Sequence, residues 1–171
     1  IATADTGAIF ADSSISAIAT YEPFMSQAVK TSNRPGARVF FSSKDYRGII
    51  VDVITARKDD LAAKPQKYAS FLKCIYKAVD YSKAEPDKFA ELAAPHFGLT
   101  PADVKEILAT SLAYTSREEA AAYLGKAGAR GTLHDIFDTV MALNIDNGAA
   151  DNKLDSNLQI DNSVINSIAA P

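Results

Sequence analysis

Three side chains stand where a carboxylate or an aromatic ring could meet a small molecule: Tyr21, Glu22 and Asp52. Asp52 sits inside the run from Gly48 to Asp60, flanked by Ile49, Ile50, Val51, Val53 and Ile54. β-branched side chains suit a packed pleated surface, so the run predicts a buried strand. A carboxylate there is costly unless it is paired, hydrogen-bonded or facing a polar cavity. Two readings follow. Asp52 is satisfied by nearby backbone or by Arg57, or it lines a pocket and holds a cation or a hydrogen-bond donor. Tyr21 and Glu22 precede Pro23 at an expected strand-to-helix turn, the strand end at which open α/β sheets bind ligands. Glu22 also has a plainer reading, as an acid stabilised by a helix N-terminus.

Other reactive residues predict little chemistry. His96 and His134 read as ordinary helical residues rather than metal ligands. Cys74, the one cysteine, falls on the apolar side of a long helix and is expected to be a buried, quiet thiol. A single cysteine excludes an internal disulfide and a multi-cysteine zinc site. Asp146-Asn-Gly148 and Asp151 to Asp155 do not keep the spacing of a calcium loop. No nucleophile elbow, dinucleotide or phosphate loop, zinc-protease motif or paired-carboxylate motif occurs. No metal and no cofactor is expected.

The elements that must position these residues divide at Gly48. Before it, α and β alternate: a short helix from Thr6 to Asp12, strands over 15–21 and 37–41, and a helix after Pro23. Residues 1–5 are expected to end a strand. After it, the signals are helical. Pro65 opens a helix to about Ala84, with Tyr68, Phe71, Leu72, Ile75, Tyr76 and Val79 in the spacing of an amphipathic face. Pro86 opens the next, which ends at Gly98. Thr100-Pro101-Ala-Asp103 and Ser116-Arg-Glu-Glu119 are helix starts with a cap and an acid three residues on. Thr132 is expected to cap a helix through about Leu143. Residues 144–161, rich in Asn and Asp, predict an extended tail, and 161–168 one or two closing turns.

The order of these signals resembles a family. Phe10 to Pro23 resembles the short helix and aromatic-x-Pro signature of type II periplasmic solute-binding proteins, in the nitrate, taurine, alkanesulfonate and thiamine-precursor subgroup; Ser16 stands where the family usually has Asp. Val51 to Asp59 is similar to the strand by which that family crosses between lobes. Lys64-Pro65 to Tyr81 with Glu85-Pro86, and Gly98-Leu-Thr-Pro-Ala-Asp103, resemble its helix starts. The likeness covers roughly residues 6–145. It implies an α/β fold, the C-terminal half of a type II periplasmic-binding-protein fold, with few strands in residues 1–60 and mostly helix after. It implies 1–47 as part of the second ligand-binding lobe, 48–60 as crossover and hinge, 61–145 as helical flank of the first lobe, and 146–171 as tail. The implied activity is capture, not catalysis: a small polar or nitrogen-containing solute, delivered to an ABC permease in the membrane. Tyr21 would form a cleft wall, Glu22 would shape the adjoining helix, Asp52 would face a ligand amino group, and Ser42–Arg47 would flank the entrance. A periplasmic or extracellular location, lipid-anchored or soluble, is implied too, with a missing N-terminal half or a second copy as partner.

Composition fits a binding protein without deciding it. The chain has 171 residues, 47% hydrophobic and 23% charged, with net charge −3 and no Trp. That is enough for one cored domain. The slight acidity and scattered lysines argue against nucleic acid. No apolar run approaches a membrane span, and Ile1–Asp5 lacks the basic segment of a leader. Two other function classes remain open from the residues: a helical interaction domain with no small ligand, and an enzyme like the thiamine-pyrimidine synthase of the same fold family. The latter uses a cysteine-rich run that Cys74 alone does not supply.

Overall fold

A computed structural model describes residues 1–46 and 48–168. Helix accounts for 59% of the structure, and among the described residues there is no strand and no sheet. The α/β expectation is overturned. The expected strands at 15–21, at 37–41 and after Gly48 are irregular or extended chain, and the first residues hold a 3-10 turn, Thr3–Asp5. β-branched runs record a preference for a pleated surface. A strand, however, exists only where a neighbouring backbone completes its hydrogen-bond ladder.

The helices are α1 (Thr6–Phe10), α2 (Phe24–Thr31), α3 (Lys58–Ala63), α4 (Pro65–Ala84), α5 (Pro86–Phe97), α6 (Pro101–Thr110), α7 (Arg117–Leu124), α8 (Thr132–Asp146), α9 (Ser156–Gln159) and α10 (Ser163–Ser167). They form two compact units. The first holds residues 1–47 and 85–113, and the second holds 48–84 and 114–171.

In the first unit, α5 and α6 pack through Ala90, Ala94 and Val104, with Ala93, Leu99 and Leu108 against them. The turn between them is written in its residues. Gly98 takes the left-handed conformation at φ 63°, and Leu99 N–H donates back to Ala94 at 3.1 Å. That closure satisfies helix-end carbonyls and suits a residue without Cβ. Thr100 and Asp103 then cap α6 reciprocally, with both bonds at 3.2 Å. Elsewhere in the unit Gly7 of α1 abuts Ala28 of α2. The Arg34 guanidinium donates to the carbonyls of Phe10 and Ile15 while covering the Phe10 ring at 4.7 Å.

In the second unit, Ala69, Ile165 and Ile168 form the core, with Leu72, Tyr76, Ala120, Ala121, Leu124 and Val164 around them. The inward row of α4 is thus 69, 72, 76 and 79. Cys74 lies two residues from Leu72 and Tyr76, on the far side at 3.6 residues per turn. It is exposed, contrary to expectation, as are Phe71 and Ile75. The tail, expected to be extended over 144–161, includes the end of α8 and the short helix α9. After it, α10 inserts Ile165, only 1% exposed.

Polar side chains hold the tail in place. Asn162 donates to the Lys126 carbonyl at 2.8 Å and lies within reach of those of Leu124 and Ala129. Asn166 donates to Gly125 at 3.0 Å. Arg130 reaches Ser156 and Asn157, both in the first turn of α9, and Asp135 and Asp138 on α8. The loop they grip closes on itself so tightly that a Cβ on Gly131 would sit 2.3 Å from both Gly125 N and Tyr123 O.

Ile165→Ala should therefore cost about 2–5 kcal/mol, the usual range for emptying a buried branched side chain, read as a lower thermal midpoint by circular dichroism. Cys74 should react at once with a thiol reagent on the native protein, because it is exposed. Labelling only after unfolding contradicts this placement of α4.

Candidate functional site

The residues singled out from the sequence fall into both units. Tyr21 and Glu22 stand at the start of α2 in the first, and Asp52 belongs to the second. Tyr21 is 62% exposed, its ring edge-on to Phe24 at 5.8 Å, and its carbonyl accepts from Met25 N–H. The Glu22–Pro23 peptide is cis, and α2 begins at Phe24. The Glu22 carboxylate accepts from the Ser26 hydroxyl at 2.8 Å and the Ser26 N–H at 3.3 Å. It is occupied in holding the first turn of α2, where a negative charge is favoured.

Asp52 is exposed in irregular chain, so the burial cost that singled it out does not arise. Arg57, its expected partner, makes a bidentate pair with Asp59 instead, at 2.6 and 3.1 Å. Among the described residues nothing pairs with the Asp52 carboxylate. Of the loop expected to flank a cleft, Ser42 caps the 3-10 turn Ser43–Asp45 through Lys44 N–H. Arg47 lies outside the described residues.

His134 is 4% exposed, and its Nδ1 accepts from Gly131 N–H at 3.1 Å, closing the start of α8. His96 is exposed. Among the described residues no three His, Cys, Asp or Glu side chains gather as a metal site, and no helix is long and apolar enough to cross a membrane.

Two charged clusters were not singled out from the sequence. Asp60 of α3 accepts from Lys64 at 2.6 Å, Lys67 at 2.8 Å and Tyr68 at 2.7 Å. Those bonds, Lys64's first, hold its carboxyl well below the usual carboxylate range. The signal was the acid with lysines four and seven residues on. The second cluster joins α2 to α6. Lys30 meets Asp103 at 2.6 Å and Glu106 at 3.7 Å beside a cavity of about 30 Å³ lined by Pro23, Gln27, Leu99 and Ile107. That volume holds about one water, far below a solute site. The Lys30 bond, with those from Thr100, lowers the Asp103 carboxyl to about 2, and the Asp103 bond raises Lys30.

The linkage has a definite sign. Asp103 is depressed from 3.8, so its contribution is present above that value and is lost as pH falls toward about 2. Lys30 is raised above 10.5, so its contribution is present below that value and is lost on the alkaline side. The melting difference between wild type and Lys30→Met should be largest near neutrality. It should shrink as pH falls below 3.8. A difference that persists to the lowest pH contradicts the pair.

Comparison with family models, with curated proteins and with solved structures finds no match for this chain.

Proposed function

We propose that this chain is a solute-binding component of an ABC-type importer, acting outside the cytoplasmic membrane. It captures a small polar or nitrogen-containing molecule without chemical change and passes it to a membrane permease. The observation that supports this reading is the placing of helix starts. Helices begin at Pro65, at Pro86 and, after Gly98 and the Thr100 cap, at Pro101. Those are the starts in which the sequence resembles the importer receptors. Local chemistry is compatible. Asp52 is exposed, and the nearby Arg57 is turned to Asp59, which leaves the Asp52 carboxylate open to an ammonium group. Tyr21 offers an exposed ring, while Glu22 serves by holding the start of α2.

A thermal-shift series on the protein with taurine, an alkanesulfonate, nitrate and an aminopyrimidine should show stabilisation by one class, with the ligand recovered unaltered by mass spectrometry. Asp52→Asn should leave the unliganded melting temperature in place. It should weaken an amine-bearing ligand about tenfold to a hundredfold, the value of one charge-assisted hydrogen bond of about 1.5–3 kcal/mol. Absence of any shift across the series overturns the reading, as does unchanged affinity in Asp52→Asn.

A further inference from the structure

The first unit carries an apolar tip that its own chain leaves in water. Val39, Phe40 and Phe41 are 45%, 93% and 71% exposed. The tip is held at both ends. On one side Arg34-Pro-Gly-Ala37 closes as a turn: Gly36 takes φ 80°, and Ala37 N–H donates to the Arg34 carbonyl at 3.1 Å. Proline followed by glycine at the centre of a turn favours that geometry. The Arg34 guanidinium is itself fastened to the Phe10 and Ile15 carbonyls. On the other side Ser42 caps the 3-10 turn Ser43–Asp45, and Tyr46 N–H donates to the Ser43 carbonyl at 2.9 Å. The Tyr46 ring lies 5.9 Å from that of Phe41. Three large apolar side chains are thus presented to water between two closed turns, and exposed apolar patches of this kind mark protein or membrane contacts.

The charge around the tip has one sign. Residues 23–51 hold five cations, Lys30, Arg34, Arg38, Lys44 and Arg47, and one acid, Asp45, in a chain of net charge −3. Lys30 is taken up by Asp103 and Glu106. Arg38 and Lys44, which bracket the tip, are exposed, and neither side chain has an acidic partner among the described residues. Apolar side chains between unpaired cations match an anionic lipid surface, where rings enter the interface and cations stay at the headgroups. The other exposed apolar run, Ile49–Ile54, holds the acid Asp52 and no cation, so it lacks this match.

Shape favours lipid over a stacked nucleic acid. Phe40 stands almost clear of the chain, so its partner must surround it. A bilayer interface surrounds any projecting side chain, whereas a base covers one face of a ring and has no use for Val39. We propose that the loop Arg38–Lys44 is a membrane-surface contact: Val39, Phe40 and Phe41 enter the interface of an anionic bilayer while Arg38 and Lys44 lie against its phosphates. Neither the loop nor its test involves Asp52 or a small solute, so this proposal and the solute reading fail separately.

The chain has no Trp, so Phe40→Trp places a single reporter at the exposed tip. Its emission should move to the blue with vesicles of phosphatidylcholine and phosphatidylglycerol, and stay in place with phosphatidylcholine alone. Wild type should co-sediment with the anionic vesicles, and less so as salt is added. Phe40→Ser with Phe41→Ser should weaken that binding at least about tenfold with an unchanged circular dichroism spectrum. Arg38→Gln and Lys44→Gln should each weaken it about fivefold, the worth of one cation at such a surface. Glycerol phosphate should neither shift the emission nor displace the vesicles; if it does both, a site for free phosphate replaces the membrane contact. Quenching of the reporter by a single-stranded oligonucleotide, with vesicles left unbound, would overturn the proposal in favour of nucleic acid. No binding to anionic vesicles, or equal binding to neutral ones, would overturn it outright.

Discussion

Helices that meet through alanine must approach closely, and that constraint shapes both units. Ala28, Ala69, Ala90 and Ala94 are among the buried residues of α2, α4 and α5. Each brings two backbones near but buries little apolar surface, so hydrophobic stabilisation per contact is small. Larger side chains reach full burial rarely; among the described residues Ile165 is the largest apolar one to do so. Relations between helices are then fixed by directional bonds. Lys30 ties α2 to α6, Asp60 ties α3 to the first turns of α4, and Arg130 ties α8 to α9.

How much of this was legible follows from the range of each signal. Helix ends are local events, decided by a proline, a glycine or a cap within one turn, and they were read at Pro65, Pro86, Gly98, Thr100 and Ser116. The strands were misjudged because Ile49–Ile54 and Val39–Phe41 state only a preference, and a ladder needs a neighbour that no local pattern shows. The inward face of α4 was read too broadly. Its apolar residues cover two rows, and which row turns inward depends on α7 and α10, distant in sequence. Cys74 followed that error.

The candidate site shows the same division. Glu22 at a helix start was legible as an acid suited to that end, and Ser26 is the partner that uses it. Asp52 was singled out because burial would have made it expensive, and in water that expense vanishes. The Lys30–Asp103 pair and the Asn162 contacts were beyond reach, since they join residues far apart in sequence through geometry that no spacing encodes.

The tail grips the loop after α7 by its carbonyl oxygens and by one side chain, Arg130. Asn162 and Asn166 read the backbone of Gly125, Lys126 and Ala129, and ask nothing of the side chains there. The side chains of Lys126, Ala127 and Ala129 are exposed. Selection for a stable fold thus falls on two asparagines in the tail and on Gly125 and Gly131 beneath them. The three residues at the loop's outer edge are free to drift, and they form a patch of surface that could diverge in charge and shape while the chain below it stays the same.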